Sequence, residues 1–134
     1  MAVIDASVYI ALINAQEIYH ASSWGWFQQA QAAGESLTAP VILLAEVAAG
    51  LSRGLGNPTL AHQVVQQLLQ VQLIDMVPVT SVLAKRAAAI AADHQIRGCD
   101  AIYVALAEQL GAELVTLDQQ QLERGAAVVT TRTP

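Results

Sequence analysis

Apolar residues fall in short blocks that alternate with longer amphipathic stretches, and this alternation predicts the elements of the chain. Val3-Ile-Asp5 reads as a short buried strand, and Ser7 to about Gln16 as a helix with Val8, Ile10 to Leu12 and Ile13 inward. A second helix is predicted from His20 to Ala33, stopping at Gly34, followed by a short strand from Ser36 to Thr38. Pro40 suits the first turn of a helix, where its missing N–H has no partner to lose. That helix is expected to run to about Arg53, before Gly54-Leu-Gly56 ends it. Asn57-Pro58 starts the next helix, which continues through Gln70, and Leu73 to Val77 reads as a strand. Thr80 caps a helix from Ser81 to His94 with Val82, Leu83, Ala87, Ile90 and Ala91 inward. Arg97-Gly98 breaks it, Asp100 begins another helix and Gly111 ends that one. Leu114 to Thr116 is a strand, Gln119 to Arg124 a short helix and Ala127 to Thr130 a last strand. Short strands separated by helices imply a parallel sheet covered on both faces, an α/β fold of three layers, α/β/α. The 134 residues show no repeat or linker and fit one domain, 1–134.

Four acids break this apolar pattern. Glu46 is the one charged residue in Val41-Ile-Leu-Leu-Ala-Glu46-Val-Ala-Ala-Gly50, about two turns into its predicted helix, with no lysine or arginine within a helical turn. Asp5 ends Met1-Ala-Val-Ile, Asp100 opens Ala-Ile-Tyr-Val-Ala-Leu-Ala, and Asp118 closes Leu114-Val-Thr-Leu117. A carboxylate carried into apolar surroundings loses hydration that only a partner, a proton or a metal restores. Asp5 and Asp118 fall at carboxyl ends of strands, where open parallel sheets build their sites, and Asp100 falls at a helix N-terminus, where the macrodipole favours an anion. If the four converge, each pair about 5 Å apart repels by about 3 kcal/mol at an effective dielectric near 20, so protons or cations must intervene. Oxygen donors without histidine or cysteine select Mg²⁺ or Mn²⁺ over zinc, and such ions support hydrolysis of phosphodiesters. Taken singly, the acids also suit plainer roles: Asp100 as a cap, Asp5 and Asp118 in turns, Glu46 paired with Arg97 or Arg53. Ser7 suits two roles, orienting Asp5 or a metal-bound water, or capping its helix.

Composition narrows the picture. Hydrophobic residues make up 54% and charged residues 13%, which points to apolar surface covered by another subunit or a partner. The longest near-apolar run contains Glu46 and falls short of the ~20 residues that span a bilayer. The start, Met-Ala-Val-Ile-Asp, has no basic stretch leading into a long hydrophobic one, so the expected compartment is the cytoplasm. The single cysteine, Cys99, has no thiol partner and reads as a buried small side chain. A net charge of −5 argues against broad electrostatic binding of nucleic acid. Arg53, seven residues after Glu46, and Arg97, three before Asp100, are the candidates for a small nucleic-acid-binding rim. His20, His62 and His94 are scattered and read as surface or cap residues. Trp24, Trp26 and Phe27 suit packing of the second helix, with base stacking the alternative. The glutamines at 66–67 and 119–121 read as solvated helix surface.

In order along the chain, Val3-Ile-Asp5-Ala-Ser7, Leu43-Leu-Ala-Glu46-Val, Arg97-Gly-Cys-Asp100-Ala-Ile-Tyr-Val-Ala-Leu-Ala-Glu-Gln-Leu-Gly111 and Leu114-Val-Thr-Leu-Asp118 resemble a PIN domain. Within that superfamily the chain most resembles the VapC-type toxin ribonucleases. The resemblance implies a five-stranded parallel sheet, Mg²⁺- or Mn²⁺-dependent endoribonuclease activity, a homodimer and inhibition by a cognate antitoxin protein. Carried over by position, it makes Asp5, Glu46, Asp100 and Asp118 the catalytic and metal-binding acids, with Ser7 at the usual Ser/Thr position. Some relatives carry a further acid just after the last Asp; Gln119, Gln120 and Gln121 stand there instead, which puts a second metal in doubt. A haloacid-dehalogenase phosphatase would need a second Asp where Ser7 stands, and a receiver domain a lysine on the last strand, where Lys85 is misplaced. The competing reading from another class is a PIN-like module that binds RNA or regulates without cutting.

Overall fold

The computed structural model describes all 134 residues, Met1–Pro134. Five strands form one sheet in the order β3-β2-β1-β4-β5, with every neighbouring pair parallel. They are β1 (Ala2–Ile4), β2 (Leu37–Pro40), β3 (Asp75–Val77), β4 (Glu113–Val115) and β5 (Thr131–Arg132). Parallel strands need crossovers, and the helices supply them: α1 (Ala6–Ile13), α2 (His20–Ala32), α3 (Leu43–Ala49), α4 (Pro58–Val71), α5 (Ser81–His94), α6 (Gly98–Leu110) and α7 (Gln119–Gly125). β1 and β2 are buried along their whole length, as strands covered on both faces must be. α6 lies across β1, β2 and β4 with α5 packed on it, while α1 joins α2 and α3. No helix is long and apolar enough to cross a membrane.

The order of the strands positions the site. From β1 the chain steps to β2 and β3 on one side and later to β4 and β5 on the other, so the crossovers diverge between β1 and β4 and open a crevice beyond their carboxyl ends. Asp5 follows β1 directly, and Thr116 follows β4.

Several expected boundaries move, each for a local reason. Pro40 ends β2 instead of opening a helix; the β1 ladder has stopped at Thr38, so the missing N–H removes no rung. α3 therefore starts at Leu43, and Glu46 stands in its first turn, not two turns in. The helix expected to continue to Arg53 widens into a π-helical segment from Gly50 to Gly54. A Cβ on Gly50 would collide with Ile10 Cδ1, so glycine lets α1 rest against the backbone at this junction. α6 begins at Gly98, which turns Cys99 outward: the cysteine is exposed, not buried. Val82 is 77% exposed because Leu83, Ala87 and Ile90 take the inner stripe of α5. Ile13, at the end of α1, is also exposed. The last strand lies at Thr131–Arg132, not Ala127–Thr130. The backbone N–H groups of Ala127, Val128 and Val129 are spent on carbonyls of Arg124 and Gly125 at the end of α7.

Candidate active site

Asp5 is the N-cap of α1 and the most heavily bonded acid of the crevice. Its Oδ1 accepts from Val8 N–H at 3.2 Å and from Ser7 Oγ at 2.6 Å; its Oδ2 accepts from Thr116 Oγ at 2.6 Å. The two hydroxyls are held in turn. Ser7 Oγ accepts from Leu117 N–H at 3.0 Å, and Thr116 Oγ accepts from Asp118 N–H at 3.0 Å. Each hydroxyl thus has its acceptor side filled by backbone and its proton aimed at Asp5, which fixes the carboxyl across the mouth of the β1–β4 crevice. Ser7 orients Asp5 and does not cap its helix.

Asp118 caps α7, with Oδ1 accepting from Gln121 N–H at 2.8 Å. Asp100 stands in the first turn of α6, where the aligned N–H groups favour a negative charge. Arg97, at the N-cap of α6, joins the two acids: its Nε donates to Asp100 Oδ2 at 2.8 Å and its Nη2 to Asp118 Oδ2 at 3.1 Å. Glu46 reaches in from α3 with one carboxylate oxygen buried and without a hydrogen-bond partner; the Tyr103 hydroxyl, three residues after Asp100, is likewise buried and unpartnered. Neither Arg97 nor Arg53 forms a salt bridge with Glu46.

Asp100 is the hub of the electrostatics. Its charge acts on both Asp5 and Glu46, and it feels Asp118 in turn. Burial pushes Asp5 up to about 6 against the lowering effect of its three hydrogen bonds. Burial also raises Glu46, opposed by the nearby Tyr103 hydroxyl and then increased by Asp100. Burial raises Asp100 too, opposed by the Arg97 bond. The Tyr103 phenol is pushed well above its ordinary range by burial and then by Glu46. Asp5, Glu46 and Asp100 hold their protons more tightly than water-exposed acids do, with a single arginine as counter-charge.

No three of these carboxylates converge on one cation position in this side-chain arrangement, since Arg97 spans Asp100 and Asp118. The donor chemistry still fits a hard divalent ion: every available ligand is oxygen, and Glu46 Oε1 is a buried acceptor left without a donor.

The other candidates lie elsewhere. The π-helical segment, with its wider turn, carries Arg53 onto an open groove of about 500 Å³ between α3 and α4, beside Ala48, Ala61 and His62, rather than alongside the acids. His20 binds the Ala11 carbonyl at 2.7 Å, and His94 ends α5. Trp26 and Phe27 pack in the core, while Trp24 is partly exposed and stacks on His20. Gln121, expected on a solvated surface, is fully buried, and its Nε2 donates to the Asp100 carbonyl at 3.3 Å. Thr116 and Gln121 make contacts to the site acids, and Tyr103 is buried beside Glu46; sequence reasoning singled out none of the three. Only Thr116 left a trace, as the one polar residue inside Leu114-Val-Thr-Leu117.

Known proteins share this fold and part of this sequence. Ribonuclease VapC3 of Pyrobaculum aerophilum is 50% identical over 46 residues, which is 34% of this chain and 35% of that protein, so the similarity spans about a third of the curated relative. The fold superposes on VapC20 of Mycobacterium tuberculosis, described as a sarcin-ricin loop cleaving toxin, with a TM-score of 0.77 at 19% identity, covering 100% of both chains. It superposes on a toxin-antitoxin complex from Klebsiella pneumoniae with a TM-score of 0.66 at 20% identity, covering 91% of this chain and 90% of that one. The sequence profile of the PIN domain matches residues 2–127, and the chain belongs to the PIN domain family.

Proposed function

We propose that this protein is a Mg²⁺- or Mn²⁺-dependent endoribonuclease that hydrolyses RNA phosphodiester bonds, the toxin of a toxin-antitoxin pair. The observation that supports the reading is that Asp5, Glu46 and Asp118, each from a separate element, feel or act on the charge of Asp100 where the sheet's connections diverge. Asp5, Glu46, Asp100 and Asp118 would hold the cation, whose chemistry when bound is to activate a water and stabilise a phosphoryl oxygen. Ser7 and Thr116 keep Asp5 in an acceptor orientation throughout. Glu46, with its raised proton affinity and unpartnered Oε1, is placed to take a proton from the attacking water. Arg97 is the positive charge beside the acids that an RNA phosphate would meet, with Arg53, in the α3–α4 groove, a second and separate contact.

An antitoxin partner is supported by the complex from Klebsiella pneumoniae described above. A homodimer is supported by the apolar side chains that remain exposed, among them Ile18, Tyr19, Trp24 and Val82.

The test is cleavage of a mixed single-stranded RNA by purified protein freed of any antitoxin. Cutting with Mn²⁺, arrest by EDTA and its loss in Asp100→Asn are the expected results. Cutting that survives EDTA overturns the metal mechanism. Tight RNA binding with no cutting under any divalent ion makes the protein a binding module instead.

A further inference from the structure

We propose that Arg97 is a built-in counter-ion that a divalent cation must displace, and that its displacement turns Arg97 outward as an RNA phosphate contact. The inference rests on the metal-dependent reading above and concerns how the site is regulated.

The geometry makes the exchange competitive. Asp118 Oδ1 is committed to Gln121 N–H as the cap of α7, so Oδ2 is the oxygen this residue has free for a ligand. Arg97 Nη2 takes that atom, and Arg97 Nε takes Asp100 Oδ2. A cation held by Asp100 and Asp118 would draw on these carboxylates, so it and the guanidinium would compete for them.

The latch is also built to open. The Arg97 side chain is 68% exposed, so the guanidinium closes the acids from the solvent side and is not packed into the core. Exposed ion pairs are weak, and a guanidinium that loses a carboxylate regains water at little cost. Its backbone stays fixed at the N-cap of α6, so the released group remains at the mouth of the crevice. A planar guanidinium with paired N–H donors there matches a phosphate diester.

Binding at one partner must then favour the other: metal strengthens RNA binding by freeing Arg97, and RNA strengthens metal binding by holding it away. Without metal, Arg97 is occupied and contributes little to RNA affinity.

The experiment follows the Arg97 Nε–H signal by NMR in the full chain, stripped with EDTA and assigned by its absence in Arg97→Gln, while Mg²⁺ is added. Calorimetry with Mn²⁺ runs alongside. The signal should move with the same midpoint as metal binding, and Arg97→Gln should bind Mn²⁺ about tenfold tighter than wild type. Arg97→Lys, which keeps the charge but not the two-ended donor, should also bind Mn²⁺ more tightly. In the absence of metal, a short single-stranded RNA should bind wild type and Arg97→Gln about equally. A stationary Nε–H signal during Mg²⁺ binding, or Arg97→Lys matching wild type, overturns the exchange while leaving the metal reading intact. If Mn²⁺ binds neither wild type nor Arg97→Gln, the metal reading itself fails.

Discussion

Thr116 shows how much of this site depends on groups that never touch a substrate. Its hydroxyl joins the end of β4 to Asp5 and simultaneously satisfies Asp118 N–H. Thr116→Val keeps the shape and removes both bonds, leaving the buried Asp5 Oδ2 and the part-buried Asp118 N–H without that partner, at an expected cost of about 1–3 kcal/mol in urea unfolding. The pH profile carries the sharper consequence. The Thr116 bond favours the ionised form of Asp5, so its loss raises an acid that already titrates at about 6. The acid limb of Mn²⁺-dependent cleavage should therefore move to higher pH in Thr116→Val; an unmoved limb would detach Asp5 from the titration that controls activity. The four acids were legible in the sequence because a carboxylate inside an apolar run advertises its own cost. Thr116 and Gln121 were not, since a threonine in a strand and a glutamine among glutamines look ordinary until the fold buries them. Tyr103 was hidden in the same way, as an aromatic on the inner face of an apolar helix.

At the scale of elements, α7 is the small helix that aims Asp118 and Gln121, and one glycine sets how closely it packs. Gly125 is buried, and a Cβ there would lie 3.3 Å from both Val104 Cγ2 on α6 and Thr131 Cγ2 on β5. Both neighbours are β-branched and have little freedom to rotate away. Gly125→Ala should push α7 outward and destabilise the fold by about 1–2 kcal/mol. A thermal midpoint equal to or above wild type would show that the neighbours yield. The helices with complete signals were read to within a residue or two: Asn57-Pro58 opens α4 and Thr80 caps α5 by accepting from Leu83 N–H. The misreadings occurred where one residue type serves two structures. Pro40 is as suitable at the last position of β2 as in a first helical turn, and the π-helical widening at Gly50 follows from packing against Ile10, which no local pattern records.

Across the whole molecule, the acids set a trend of stability with pH. Asp5 binds its proton more tightly when folded, at about 6 against an ordinary 3.8. Its contribution is fully present below about pH 4 and is lost as pH rises through about 6. The difference of about two units corresponds to about 3 kcal/mol for this buried group. Glu46 and Asp100 are shifted in the same direction. Unfolding in EDTA should therefore show a more stable protein at pH 5 than at pH 7, and Mg²⁺ should recover stability at pH 7 by replacing the missing protons. A metal-free protein whose stability rises from pH 5 to pH 7 would contradict the raised acids.

The bond from Thr116 to Asp5 spans 111 positions of chain. During synthesis Asp5 emerges 111 residues before Thr116 and waits, with only one wall of its crevice in existence, until β4 has emerged. A nascent or truncated chain lacking β4 carries neither Thr116 nor Asp118 and cannot assemble the centre at all. The crevice therefore closes only once β4 has been made, and whatever the acids do together cannot begin before then.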